Sequence, residues 1–501
     1  MRSRTGIALS ALVCASLACQ TVLAPFSPPT RTPRPPATAA SDPTATPPPD
    51  TEPAPATPVL EATVVPGPTL TGPAFTEGGV RLCDYIPGVS VPAQMPPEVV
   101  NPPTATPFPT PTPPPATPVN ADQTDRQLRI FRELWSAVRD NYVYEDFRGR
   151  DWDAIGDRYE ALILRGLTED AFYDAMRSMI FELGDEHSSF LSPQDVQEQE
   201  AELAGTREFV GIGAMVLPLI EEDRASIISI FPGSPAEEAG LRSHDAILSV
   251  DGGPVWDENG QARTLGIEGT PVTIVVQRPG EPARELTLIR RRVTGNAPID
   301  YCLVPNTRIG YIFFPTFFDE TIDEQTRAAL ERMAAEGPLE GLILDNRQNG
   351  GGISTVADPI MGLFMDGLQG YFVSRTDRRP LRVESEDVAG SQSVPLVVLV
   401  GEGTASYGEI VSGVLRVSGR AQIVGQTTDG NVEVLWGYEF EDGSRAWIAQ
   451  ETFEPLGETA GVWEDTGIIP DVMAPSRWDL FSEATDPGLA AAVQLLQAGG
   501  R

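Results

Sequence analysis

The chain has 501 residues, with 36 basic and 71 acidic side chains and a formal net charge of −35. That length allows about two to four domains. So negative a surface repels phosphate backbones and anionic lipid headgroups, which excludes nucleic acid and a basic-patch membrane contact as default partners. Every basic side chain is arginine, so no chemistry that needs a lysine amine is available. Imidazole is offered only by His187 and His244, and the four cysteines include no Cys-x-x-Cys pair. A zinc ribbon or thioredoxin motif is therefore excluded, and two distant histidines give no metal-ligand spacing. Neither a metal nor a cofactor is expected.

Residues 1–24 have the pattern of an export signal. Arg2 and Arg4 precede an apolar run from Gly6 to Ala18 that is too short to span a bilayer well. Ser16-Leu17-Ala18-Cys19 resembles a bacterial lipobox and makes Cys19 the candidate lipidation site, although Ser16 stands where the pattern prefers Leu. The alternative is ordinary cleavage, for instance after Ala24, where the following Pro25 is unfavourable. Either way the mature protein is expected outside the cytoplasm, at the cell surface or in the periplasm, touching membrane only through a lipid on Cys19. Of the cysteines, the mature chain keeps Cys83 and Cys302, and an oxidising compartment permits a bridge between them.

Residues 25–120 are dominated by Pro, Thr and Ala and predict a disordered, semi-rigid spacer. One apolar island, Val80 to Ile86, is either a short strand docking through Cys83 or Tyr85, or incidental. Residues 121–205 predict a helical segment. Leu128, Phe131, Leu134, Trp135, Val138 and Tyr142 recur at helical spacing, and a second helix runs from an N-cap at Thr168 to Leu183, stopped by Gly184. The polar loop Asp185-Glu186-His187-Ser188 follows.

Residues 206–293 carry short strands at 210–216, 225–230, 246–250, 272–276 and 285–289. Gly233-Ser234-Pro235-Ala236, Ala239-Gly240-Leu241 and Asp245 to Gly252 resemble a bacterial PDZ domain, with His244 where that family usually has Gly. The resemblance makes Gly211, Ile212 and Gly213 the loop that would receive a substrate's terminal carboxylate, the tail adding as a strand. Over residues 294–490 strands and helices alternate, including a strand at 309–314, a helix at 324–335, buried strands at 341–345 and 396–400, and a helix after Ala405. This is α/β texture with a buried sheet.

Two loops follow buried strands. Asn346 to Gly352 ends in three glycines, which can turn N–H groups toward one point. Ser406 sits at a strand-to-helix turn, where its hydroxyl is presented and its neighbour's N–H is free. Taken with Leu183 to Leu191, Leu344 to Gly352, Gly403-Thr404-Ala405-Ser406, Glu409 and Gly467-Ile468-Ile469-Pro470-Asp471, the chain from about 120 to 490 resembles the C-terminal processing (tail-specific) peptidase family. The resemblance implies an α/β fold: a crotonase/ClpP-like peptidase core with an inserted PDZ domain and a helical N-terminal segment. It also implies a serine peptidase acting on protein or peptide tails.

The main branch of that family uses a lysine about 25 residues after the nucleophile, a position held here by Asn431, and a supporting Gln whose place is taken by Leu435. Asn431 cannot accept the Ser406 proton at neutral pH. The tricorn-like branch of the same superfamily instead has a His in a loop before the nucleophile and a Glu just before a Pro-Asp motif. Similarity to that branch implies a Ser406–His187–Glu464 triad, with Glu433 as a reserve for the acid. The N–H groups of Gly351 and Tyr407 are the expected oxyanion donors, while Arg347 and Glu409 read as structural. A second reading is a PDZ-bearing pseudopeptidase that binds but does not cleave.

Overall fold

The computed structural model describes residues 74–87 and 120–499, apart from 186, 259, 458–461 and 476. The export signal with Cys19 and most of the Pro/Thr-rich stretch lie outside the described residues.

Helices α1 (Ala121–Asn141), α2 (Trp152–Ile163) and α3 (Glu169–Phe181) form the N-terminal body. Leu128, Phe131, Leu134 and Val138 bury one stripe of α1. Thr168 caps α3 by accepting the Ala171 N–H, and Gly184 at φ +72° turns the chain away after it. Strand β1 (Ser189–Leu191) and α4 (Pro193–Leu203) follow, the latter opened by a reciprocal Ser192/Asp195 capping box.

The PDZ-like part comprises β2 (Glu208–Gly211), β3 (Ala214–Leu219), β4 (Arg224–Ile230), α5 (Pro235–Glu238), β5 (Ala246–Val250), β6 (Pro271–Gln277), β7 (Arg284–Ile289) and β8 (Arg291–Thr294). Strands β3 to β7 pair antiparallel in chain order, and β2 pairs with β8. The single strand expected at 210–216 is split because Gly213 adopts φ +79° and packs under Ser234. A Cβ there would lie 2.2 Å from Ser234 Cβ.

The remaining elements are β9 (Asp300–Leu303), β10 (Ile309–Phe313), α6 (Ile322–Ala335), β11 (Gly341–Asp345), α7 (Ser354–Gly362), β12 (Gly367–Val373), β13 (Arg378–Val383), β14 (Leu396–Val400), α8 (Tyr407–Val417), β15 (Ala421–Gly425), β16 (Val434–Glu439), β17 (Arg445–Pro455), β18 (Val472–Met473) and α9 (Pro487–Gly499). The central sheet has the order β18-β15-β14-β11-β10-β9, parallel except for β9. Strands β10, β11 and β14 are buried at every position, as parallel strands covered on both faces must be. A second, antiparallel sheet runs β1-β17-β12-β13, with β16 also on β17. The sequence reading did not separate this sheet from the α/β alternation.

The apolar island docks. Cys83 forms a disulfide with Cys302, its N–H donates to Leu303 O, and Arg81 pairs with Asp300 and Glu483. The PDZ-like part and the core share a buried contact: His244 stacks on Trp478 at 4.0 Å, and the indole N–H donates to Ile227 O. On the core side, the Arg347 guanidinium lies 5.0 Å from the centre of that indole.

Candidate active site

Strands β11, β14 and β15 are parallel neighbours, so their carboxyl-end loops emerge side by side. The loop after β11 and the turn after β14 are knitted together: Thr404 Oγ1 donates to Asn346 O at 2.8 Å and the Ala405 N–H donates to Asn349 O. Ser406 is held at φ +57°, ψ −127°, an unfavourable conformation for a residue with a Cβ, immediately before α8. Its Oγ is buried and has no hydrogen-bond partner in the protein. The serine is thus presented without yet touching a base.

Gly351 lies against it at φ +99°, and a Cβ there would fall 2.9 Å from both Ser406 Cβ and Tyr407 N. Tyr407 is the first residue of α8, so its N–H has no acceptor within the helix. The Gly351 N–H, expected to be an oxyanion donor, instead donates to Asn349 Oδ1 at 2.9 Å. The short side chain of Asn349 reaches two residues forward and satisfies that amide. Arg347 is structural. It is buried between Asp345 and Asp486, with 2.6 Å contacts to each, which anchors the base of the loop.

Glu409, at the third position of α8, ties the nucleophile turn to the segment leaving β15. Its Oε2 accepts the N–H groups of Ser406 (3.2 Å) and Asn431 (2.8 Å), and its Oε1 accepts the Gly430 N–H and the Thr428 hydroxyl. Burial raises its pKa to about 7. The Ser406 N–H also donates to Asn431 O at 2.8 Å.

His187 reaches this segment from the loop before β1. Asp185 shapes that loop by accepting the N–H groups of His187 and Ser188. Because β1 and β16 both pair with β17, the loops that precede them meet. His187 Nδ1 lies 2.5 Å from Glu433 Oε2, with both side chains buried. The ring nitrogen thus bonds Glu433, the reserve candidate, while Glu464, the acid first expected, stands behind it and acts on the ring through its charge. Its Oε2 accepts the Val432 N–H, and its carboxyl is hydrogen-bonded to Glu433. Spacing from the serine pointed to Glu464, whereas strand pairing brings Glu433 to the imidazole.

Tyr144 donates to Glu433 Oε1 at 3.0 Å, and Arg148 stands 3.7 Å from the same oxygen. Burial pushes Glu433 up to about 7, against the lowering effect of its bond to Glu464. Burial and the neighbouring Glu433 push Glu464 to about 9. Of the two hydrogen-bonded carboxyls, Glu464 therefore holds a proton more firmly than Glu433. Burial lowers the His187 pKa while the surrounding carboxylates oppose that shift, so the ring is held neutral.

In the PDZ-like part, Gly211 closes β2, and the next two carbonyls are taken: Ile212 O by the Ala236 N–H, and Gly213 O by Phe231 N–H and Ser234 Oγ. Strand β3 is an edge of its sheet among the described residues. Also among these residues, no group of three or more His, Cys, Asp or Glu side chains is arranged to hold a metal, and no helix is long and apolar enough to cross a membrane.

Three family models match: peptidase family S41 over residues 308–474, the tricorn protease C1 domain over 126–181, and a PDZ domain over 227–278. The chain is 30% identical over 384 residues to the carboxyl-terminal-processing protease of Picosynechococcus, covering 74% of this chain and 90% of that one. It is likewise 30% identical to the chloroplastic C-terminal processing peptidase of Tetradesmus obliquus, covering 70% and 79%. A solved S41 protease structure from Bacteroides fragilis, 16% identical, matches with a TM-score of 0.51 over 73% of this chain and 97% of that one, a likeness of fold. The α/β core, the PDZ domain and these relatives together show that the chain belongs to peptidase family S41 and is a serine-type peptidase.

Proposed function

We propose that the protein is an exported endopeptidase that cleaves extracytoplasmic proteins through an acyl-enzyme on Ser406, with His187 as general base. The observation that carries this reading is the buried imidazole bonded through Nδ1 to the buried Glu433 carboxyl, on the segment whose backbone contacts the nucleophile turn. With Nδ1 engaged by Glu433, Nε2 is the nitrogen left for the serine. The ring takes the Ser406 proton as Oγ attacks the scissile carbonyl, then returns it to the leaving amine. Glu433 fixes the tautomer and stabilises the imidazolium, and Glu464 backs Glu433 with a shared proton. The Tyr407 N–H meets the oxyanion, joined by the Gly351 N–H once Asn349 lets it go.

The PDZ domain captures the substrate's carboxyl terminus at Gly211-Ile212-Gly213, and the tail adds along the free edge of β3. A lipid on Cys19 anchors the protein, and the Pro/Thr-rich stretch holds the catalytic part off the membrane.

A fluorophosphonate probe tests the assignment. It should label the wild type and leave Ser406→Ala unlabelled, and His187→Ala should lose peptide cleavage by at least about a thousandfold. No labelling of a folded wild type would leave only a binding protein, and full turnover by His187→Ala would remove the imidazole from the mechanism.

A further inference from the structure

Among the described residues, the buried oxygens without a hydrogen-bond partner in the protein include Ser406 Oγ and Asn431 Oδ1. Their residues are 1% and 6% exposed. They are also neighbours in space, joined by the bond from Ser406 N–H to Asn431 O, with both N–H groups held by the same oxygen of Glu409. Val432, next to Asn431 in the chain, is apolar and buried. A buried amide oxygen left unpaired carries an uncompensated desolvation cost, which a hydrogen-bond donor arriving during the reaction would remove.

Such a donor is needed once Ser406 is acylated. The base must then deprotonate a water beside the ester, and that water has a second hydrogen to place. Asn431 Oδ1 accepts a hydrogen bond but takes no proton at neutral pH, so the reacting proton goes to His187 alone. His187 is tied to Glu433, two residues beyond Asn431, so the base and the amide serve the same segment.

We infer that Asn431 is a positioning residue for the hydrolytic water of deacylation; this rests on the roles of Ser406 and His187 given above. The water oxygen bonds to the acyl carbon and its proton passes to His187 Nε2. The bond between the acyl carbon and Oγ then breaks, and Ser406 Oγ regains the proton from His187.

Burst kinetics with a p-nitrophenyl ester, together with intact-mass detection of acylated enzyme, separate the two half-reactions. In Asn431→Ala the burst should stay within about threefold of wild type, while steady-state turnover falls about 10–100-fold and acyl-enzyme accumulates. Asn431→Asp, which keeps an acceptor oxygen in place, should recover at least about tenfold of that loss. If Asn431→Ala lowers the melting temperature, Asn431→Leu fills the volume without an acceptor and should show the same split. Equal losses in burst and steady state, or no loss in either, overturn the assignment of Asn431 and leave the peptidase reading standing. A wild type with neither burst nor fluorophosphonate labelling overturns both.

Discussion

Glu433→Gln is the sharpest single test of the proposed charge arrangement, because it separates two carboxyls that both lie near the imidazole. The 2.5 Å contact from His187 Nδ1 to Glu433 Oε2 is sealed from solvent, with side-chain exposures of 3% and 0%. Glutamine preserves the volume but brings an amide N–H that can donate to Nδ1 and drive the ring proton to Nε2. A ring protonated there cannot accept from Ser406. The loss expected from such a tautomer error is about 10³–10⁴-fold in kcat, or about 4–5.5 kcal/mol of barrier. Glu464→Gln keeps a donor toward Glu433, and the ring keeps its bond to Glu433, so its loss should stay within about tenfold. The assay is cleavage of a fluorogenic peptide with a free carboxyl terminus, run beside thermal melts of both variants. Activity of Glu433→Gln within about tenfold of wild type, or an equal collapse in a well-folded Glu464→Gln, would refute the assignment of Glu433 to the ring.

Gly351→Ala forces a Cβ into the space before Ser406 Cβ and Tyr407 N at a backbone φ of +99°. Peptide kcat should fall by at least about 10²-fold, while the backbone strain costs about 1–2 kcal/mol of stability. Unchanged kcat in that variant would show that the gap in front of Tyr407 is not used. The pH dependence follows from His187, whose pKa is lowered from 6.5 by burial. The mechanism also needs Glu433 ionised, and burial holds that carboxyl up at about 7, so the acid limb of kcat/KM should lie at about pH 7, and full activity kept down to pH 5 contradicts the arrangement. The His187 shift also acts on the fold. The stability it contributes is present above pH 6.5, where the unfolded ring is also neutral, and is lost as pH falls toward the folded-state value. The carboxyls of Glu409 and Glu433, held up at about 7, act with the opposite sign over the same range, so the His187 contribution is read as the stability of wild type minus that of His187→Gln in urea-unfolding series from pH 7.5 to 5, a difference that should shrink as the pH falls.

Much of the architecture was legible because its signals are local. Buried runs such as Leu342-Ile343-Leu344 and Val397-Val398-Leu399 bounded by glycine identify the parallel strands, and Thr168 and Gly184 mark where α3 opens and where the chain turns after it. The split at Ile212–Gly213 was hidden because a glycine in an apolar run does not announce its φ. It follows from the close packing of Ser234 against Gly213, a contact between residues 21 positions apart. The second sheet was missed for a related reason. β12, β13, β16 and β17 pair antiparallel across a chain interval that also supplies parallel strands, and alternation alone does not say which sheet a strand joins.

The acid partner of the imidazole shows most plainly where sequence reasoning stops. Spacing along a chain informs on contacts within one helix or hairpin, yet His187 and Glu433 are 246 residues apart. Their meeting depends on β1 pairing Ser189 with Trp447 while β16 pairs Gly437 with the same Trp447, so that β17 carries both loops to one place. With no lysine in the chain, the proposed base cannot come from the segment that follows β15 and must be delivered from the N-terminal body across that strand. Positioning of the base then depends on the antiparallel sheet as well as on the parallel one that presents the serine. The geometry of the site is thereby tied to the packing of the helical body, which holds the Asp185 loop in place.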